Sequence, residues 1–304
     1  MKILLNVLLL LGVMSCEKST VNPITPVLRF YDTIAIDGRT RTYLLNLPPN
    51  FDSTGPFPLV VALHGFGGRA IQMEHDYHLT EKSNSAKFIV VYPEGTPNDG
   101  PLGLQNWNAG TCCEAAQEQN VNDVGFISRL IQKLVRQYKV NPKKVYVTGM
   151  SNGAMMTYRL ACEIPNQIAA IAPVSGTLLT TQPCQPSRAV PVLHIHSVID
   201  TKVPYAGGIG LGNHYFPPVD STLHVWSAIN GCDANPRVVF DNALYAQWQF
   251  MACRAGGAVL LNLTKDGGHS WPGGLPPRPG ADAPSEAFSA TDVIWDFFKL
   301  YGLP

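Results

Sequence analysis

A serine hydroxyl is a weak nucleophile until an imidazole takes its proton and a carboxylate holds that imidazole in one tautomer. The chain supplies a serine in a telling setting. Ser151 stands in the middle of Gly149-Met150-Ser151-Asn152-Gly153, a G-x-S-x-G. Val145, Tyr146 and Val147 before it read as a short buried strand. Ala154, Met155, Met156, Tyr158, Arg159 and Leu160 after it read as a helix. Glycine on each flank permits a turn too tight for a side chain. A strand–turn–helix of this kind lifts the serine oxygen out of the sheet, at the start of the helix. An ordinary Gly-rich loop has the same five residues; the strand and helix around them favour a nucleophile.

The acid and the base must lie at other strand ends. Among the acidic residues after the serine, Glu163, Asp200 and Asp220 come first. Asp200 is best placed, on the loop just past the apolar run that ends in "HIHS". Glu163 closes the helix after the serine and points away from that edge. For the base, His269 in "KDGGHSWPGG" follows the run "AVLLNLT" after a short Gly-rich turn. "LHGFGG" (63–68) is a Gly-rich turn after an early strand, suited to presenting N–H groups to a developing oxyanion. The expected donors are the backbone amides of Phe66 and Asn152. His194 and His196 alternate on a strand and face one side, as a two-histidine metal pair would, but no third ligand has suitable spacing. Neither a metal nor a cofactor is expected. Trp107, in "NWNAG", and Trp271, two residues past His269, are candidate substrate-binding residues. Packing against loop backbone is the alternative for Trp107.

These residues need a scaffold that brings strand ends together. "FYDTIAIDGRTRTYLLNLPP" reads as a hairpin, strands 30–36 and 40–47, turned at Asp37-Gly38. Apolar runs at 57–65, 87–93, 144–149, 168–176, 190–197 and 258–264 read as strands covered on both faces. Helical spacing appears over 123–138, 152–163, 220–229 and 289–301. Alternating strands and helices give a doubly wound α/β fold, a mostly parallel central sheet with helices on both faces. One domain is expected, over 28–304. The irregular loops 94–122 and 201–219 are long enough to build a walled pocket.

The chain has 304 residues, formal net charge +0 and 45% hydrophobic residues. A neutral balance argues against nucleic acid as a partner. Met1-Lys2 precedes an apolar run from Ile3 to Val13, too short to span a membrane and suited to export. It ends in Val13-Met14-Ser15-Cys16, which resembles a bacterial lipobox. The expectation is a signal peptide over 1–15, a lipid on Cys16 and a polar tether over 16–27. That would make an exported lipoprotein of the outer membrane or cell surface, with a periplasmic or secreted protein as the alternative. The remaining six cysteines are an even number, as disulfides require. Cys232 and Cys253 are expected to pair, since they end a helix and a strand that a short loop separates. Three pairings of Cys112, Cys113, Cys162 and Cys184 stay open, with different partners expected for the adjacent Cys112 and Cys113.

Taken together, "VVALHGFGG", "FIVVYPEGT", "NWNAGTCC", "VNDVGFISRLI", "VYVTGMSNGAMMTYRLAC", "VPVLHIHSVIDTKVPYAGG" and "GGHSWPGG" resemble the secreted esterases that include feruloyl esterases and polyhydroxybutyrate-depolymerase-like enzymes. These are a branch of the α/β-hydrolases. The resemblance spans roughly 30–302 and implies Ser151 as nucleophile, Asp200 as acid and His269 as base. It departs at Ser197, where the family usually has glycine, and at Asn122-Asp123, where it often has two aspartates. What it implies is a serine carboxylesterase working through an acyl-enzyme. The expected substrates are hydroxycinnamoyl esters of plant cell-wall polysaccharide, since a walled pocket with indole faces suits a flat aromatic acid. Polyhydroxybutyrate or another polyester, and acetylated xylan, are the alternatives within the family. A non-catalytic polymer-binding surface lipoprotein is the alternative from another class; an active-site fluorophosphonate would separate it from an esterase.

Overall fold

The computed structural model describes residues 28–49, 51, 55–276 and 280–304. The expected signal peptide, Cys16 and the tether lie outside the described residues. Fourteen strands run β1 (Arg29–Ile36), β2 (Arg39–Asn46), β3 (Phe57–Leu63), β4 (Ile89–Pro93), β5 (Thr96–Pro97), β6 (Gln105–Asn106), β7 (Val140–Met150), β8 (Ala170–Val174), β9 (Val192–Ser197), β10 (Gly208–Ile209), β11 (Tyr215–Phe216), β12 (Arg237–Asp241), β13 (Tyr245–Phe250) and β14 (Val259–Thr264). Seven α-helices are α1 (Ala70–Tyr77), α2 (Leu79–Ala86), α3 (Glu114–Glu118), α4 (Asp123–Gln137), α5 (Asn152–Glu163), α6 (Val219–Ile229) and α7 (Ala290–Phe298). Among the described residues no helix is long and apolar enough to cross a membrane.

Ten strands form one sheet in the order β1-β2-β4-β3-β7-β8-β9-β14-β13-β12. The six from β4 to β14 are parallel, and the pairs outside them are antiparallel. Successive side chains of a strand point to opposite faces, which divides the core in two. Leu59, Val61 and Leu63 of β3 pack on the side of α4, α5 and α6, with Ile127, Met156 and Trp226. Val60 and Ala62 pack on the other side with α1, α2 and α7, against Met73, Leu79 and Phe298. Both faces are covered, so the central strands carry unbroken apolar runs. The first hairpin turns at Asp37 and Gly38, both at positive φ, and pairs Ile36 with Arg39. That is the two-residue turn the Asp-Gly sequence specifies. Asn122 caps α4 by accepting from the Gly125 amide at 2.9 Å, and Ser289 caps α7 through the Asp292 amide at 3.2 Å.

Three disulfides tie the loops. Cys232 is bridged to Cys253, and Cys162 at the end of α5 to Cys184. Cys112 and Cys113 are bridged to each other, which corrects the expectation of separate partners. Once the other four cysteines pair locally, this buried adjacent pair has only itself. The Cys232–Cys253 bridge has a sequence separation of 21 residues. Closing a loop of that size stabilises by about 3 kcal/mol in the chain-entropy view. It anchors the antiparallel extension β12–β13 beside α6.

Candidate active site

The loops that follow β3, β7, β9 and β14 meet at the carboxyl ends of the parallel strands, where open α/β sheets form their clefts. Ser151 occupies the turn between β7 and α5 with φ 56° and ψ −118°. Its amide donates to the Val174 carbonyl of β8 at 2.9 Å. The flanking glycines explain themselves by contact. A Cβ on Gly149 would lie 2.5 Å from the Gly153 carbonyl carbon, and one on Gly153 would meet the Leu63 and His64 carbonyls of β3 and its loop. Only hydrogen at both positions lets α5 start this close to the sheet.

Asp200 is buried just past β9. Its Oδ1 accepts from the amides of Lys202 at 2.8 Å and Val203 at 2.9 Å. Its Oδ2 lies 2.7 Å from Nδ1 of His269. Burial alone would push this carboxyl up, but the His269 hydrogen bond, the neighbouring imidazoles and the Val203 amide hold it below its usual value. The ionised carboxylate accepts a proton-bearing Nδ1, leaving Nε2 of His269 as the basic nitrogen. β9 and β14 are parallel neighbours with Ser197 opposite Thr264, so the loops that carry Asp200 and His269 leave the sheet side by side. Ser197 adds a cross-tie, donating from Oγ to the Gly267 carbonyl at 3.0 Å. A glycine there would lack that link. Asp282, which no sequence pattern singled out, accepts the His269 amide at 2.7 Å and fixes the His269 loop from the other side. Glu163 pairs with Arg159 on the surface.

Ser151 and His269 line one cavity of about 400 Å³, within the range of small-molecule sites. Its apolar wall includes Phe66, Ile71, Tyr77, Met150 and Trp271. Ser151 is 7% exposed, so access to its hydroxyl is through this cavity. Trp271 stacks on Tyr77 with ring centroids 4.6 Å apart and 7° between planes, and its indole N–H donates to Thr291 Oγ1 at 3.1 Å. One face of Trp271 is therefore taken by Tyr77. The Tyr77 hydroxyl has no hydrogen-bond partner among the described residues, although the side chain is almost fully buried.

Trp107 is not in this cavity. It is fully buried behind the serine turn, where packing is its role. Its amide donates to the Asn152 side-chain oxygen at 2.7 Å, the Asn152 side-chain nitrogen returns a bond to its carbonyl at 3.1 Å, and its indole N–H donates to the His64 carbonyl at 2.9 Å. One tryptophan thus joins the start of α5 to the loop that carries Phe66. The Asn152 N–H is in the first turn of a helix, where amides have no intrahelical acceptor. Phe66 lies two residues past His64 on a cavity-lining turn. His64 itself accepts the Gly95 amide on Nε2 at 2.9 Å and donates from Nδ1 to the Gly65 carbonyl at 2.7 Å.

The family model for phospholipases and carboxylesterases matches residues 54–216, more than half of the chain. The chain belongs to this family. It is a carboxylic ester hydrolase domain of the α/β-hydrolase fold. Over 272 residues it is 26% identical to feruloyl esterase B of Piromyces equi, covering 87% of this chain and 46% of that protein. The chain thus spans less than half the length of that relative. It is 29% identical over 285 residues to the putative esterase NocK of Nocardia uniformis subsp. tsuyamanensis, covering 87% of this chain and 80% of that one. Among solved structures, acetyl xylan esterase from Aspergillus awamori superposes with a TM-score of 0.60 at 17% identity, covering 89% of this chain and 99% of that one. At that identity the likeness is one of fold.

The buried imidazoles of His64, His194 and His196 are expected to make the protein acid-sensitive. Burial lowers His64 from 6.5 to about 4 and lowers His194 and His196 as well. In the unfolded chain each imidazole binds a proton near 6.5, while the folded chain resists doing so. The unfolded state therefore holds more protons below 6.5, and stability falls as pH drops through that window. Each imidazole contributes up to about 1.4 kcal/mol per pH unit. Urea midpoints taken at pH 7.5, 6 and 5 are expected to decline steadily below 6.5. A flat profile over that range would show that these imidazoles are not held neutral.

Proposed function

We propose that this esterase domain works as a serine carboxylesterase through an acyl-enzyme. Ser151 is the nucleophile, His269 the general base and then the acid, and Asp200 holds His269 in its working tautomer. The amides of Phe66 and Asn152 receive the oxyanion of the tetrahedral intermediate. The observation that carries this reading is the shared cavity wall of Ser151 and His269, with Asp200 hydrogen-bonded behind the imidazole at 2.7 Å. The three follow in chain order Ser, Asp, His, the order of this fold. In the first half-reaction the Ser151 oxygen bonds to the ester carbon as its proton passes to Nε2 of His269. That proton leaves with the alcohol as the carbonyl reforms. Water then repeats the sequence and releases the acid.

The acid side of the substrate is a hydroxycinnamate carried on plant cell-wall polysaccharide. Support comes from the aromatic wall of Tyr77 on Trp271 and from the unpartnered Tyr77 hydroxyl, a hydrogen-bonding group suited to a phenol or methoxy oxygen. Feruloyl esterase B is among the relatives, which agrees with this choice. Export is part of the reading, since three disulfides suit an oxidising compartment. The lipid on Cys16 rests on the apolar run that ends there. Detergent partitioning of the full chain tests the anchor: wild type is expected in the detergent phase and Cys16→Ser outside it.

Ser151→Ala is expected to cut ester turnover by about 10⁴-fold or more and to block fluorophosphonate labelling. Retained turnover would remove Ser151 from the mechanism. Tyr77→Phe separates the substrate reading from the chemistry. It is expected to lower kcat/KM for methyl ferulate about two- to tenfold, as one lost hydrogen bond does, and to leave unsubstituted methyl cinnamate unchanged. Faster release of hydroxybutyrate from its polymer than of ferulate from methyl ferulate would move the substrate to the polyester side.

A further inference from the structure

Two buried imidazoles behind the site are not used by the mechanism above. His194 and His196 sit on β9, on the face toward α5, and both are fully enclosed. Tyr158 Oη lies 2.7 Å from Nδ1 of His194, Nε2 of His194 lies 3.0 Å from Nδ1 of His196, and Nε2 of His196 lies 2.8 Å from the Val203 carbonyl. The same Nε2 is 3.4 Å from Oδ2 of Asp200.

The direction of every proton in this chain follows from its far end. A carbonyl only accepts, so Nε2 of His196 carries hydrogen. Burial keeps both rings uncharged. A neutral His196 with hydrogen on Nε2 has a bare Nδ1, which must accept from Nε2–H of His194. His194 then has a bare Nδ1, which must accept the Tyr158 hydroxyl proton. One arrangement satisfies all three rings, and it aims an N–H at the Asp200 loop. The groups facing His196 are His194, Asp200, Tyr205 and, beyond the carboxylate, His269.

We propose that His196 is a positioning residue for Asp200, held in its donor tautomer by the buried hydroxyl of Tyr158 acting through His194. It anchors the 200–203 turn through the Val203 carbonyl and gives Oδ2 a second N–H neighbour beside His269. An uncharged donor is what this place requires. A cationic His196 would compete with the imidazolium that forms on His269 for the same carboxylate. The metal pair that the alternating histidines resemble is thereby replaced: their facing nitrogens are spent on each other.

This proposal rests on the serine carboxylesterase reading, and the test keeps the two apart. Gln places its amide nitrogen where Nε2 of histidine lies, while Asn reaches only to Nδ1. His196→Gln is expected to keep kcat within about threefold, while His196→Asn loses about 10–100-fold, the scale of a misplaced catalytic group. KM changes by less than about twofold in both. Tyr158→Phe removes only the hydroxyl, from the remote end of the chain, and is expected to lower kcat about three- to tenfold. In the His196→Asn background it is expected to add nothing further, because the link it acts through is gone. Fluorophosphonate labelling of Ser151 is followed in each variant. Wild type labelled at Ser151 with full turnover in His196→Asn overturns the proposal alone, as do equal losses in the Gln and Asn variants. If both His196 variants fail to fold, Tyr158→Phe decides: unchanged kcat overturns it. Wild type that resists labelling overturns the serine reading and this proposal with it.

Discussion

The site depends on a serine held where serine does not rest. At φ 56° the Ser151 backbone lies in a region that costs non-glycine residues about 1–3 kcal/mol. The turn persists because its surroundings over-determine it. The Ser151 amide is bound to β8, Gly149 and Gly153 let α5 start against β3, and the Asn152 side chain is locked by Trp107 on both of its polar atoms. Strain at Ser151 is thus balanced by contacts from three separate segments. The same contacts bring the Asn152 amide and the Phe66 turn into one frame.

Charge around that frame is arranged by exclusion. His64, His194 and His196 are kept neutral by burial, so each acts through the direction of an N–H and not through net charge. The enclosed Arg41 and Asp123 are paired. Asp123 meets Arg41 at 2.7 Å and the Asn108 amide at 2.8 Å, which pins the 94–122 loop to the hairpin β1–β2. Burial raises the Asp123 carboxyl, and Arg41 with the Asn108 amide works against that rise. The adjacent Asn122 is spent on capping α4, which needs an acceptor and not a charge. An aspartate there is therefore dispensable.

Much of this was legible in the sequence. The central strands announce themselves because both faces are covered, and the Asp-Gly hairpin because its turn demands positive φ. Ser151, Asp200 and His269 are readable because each falls at the end of an apolar run. What was not legible has a common cause. β12 reads Arg237-Val-Val-Phe-Asp241 and is exposed along its whole length, so no burial pattern marks it. α1 and α2 carry few apolar residues, and α2 is interrupted by serines and lysine. Tyr77 and Asp282 owe their roles to where distant segments meet, Asp282 thirteen residues beyond the histidine it supports. For Trp107 only packing separates two options: an indole on a long loop near the serine is a wall or a wedge, and here it is a wedge. The Cys112–Cys113 bridge likewise depends on where the other cysteines find partners.

The cavity wall and the residues that meet at its floor are held by different parts of the chain. Ser151, Asp200 and His269 each follow a strand end, and they are held by the Val174 carbonyl, by the Lys202 and Val203 amides, and by the carboxylates of Asp200 and Asp282 respectively. The cavity wall comes from other places: the segment from Gly65 to Tyr77, the loop that carries Lys202 and Leu211, and Ser270 and Trp271 together with Gly280, Ala281 and Asp282. Ser270 and Trp271 tie wall to His269 by sequence proximity, and Asp282 does so by its bond to the His269 amide. Changes at Phe66, Ile71, Tyr77 or Leu211 would reshape the cavity while leaving the hydrogen bonds of Asp200 and His269 intact. Changes at Asp282 would not, because the wall and His269 share it. The shape of the cavity is therefore free to vary on the side of α1 and the β9–α6 loop, and constrained on the side of His269.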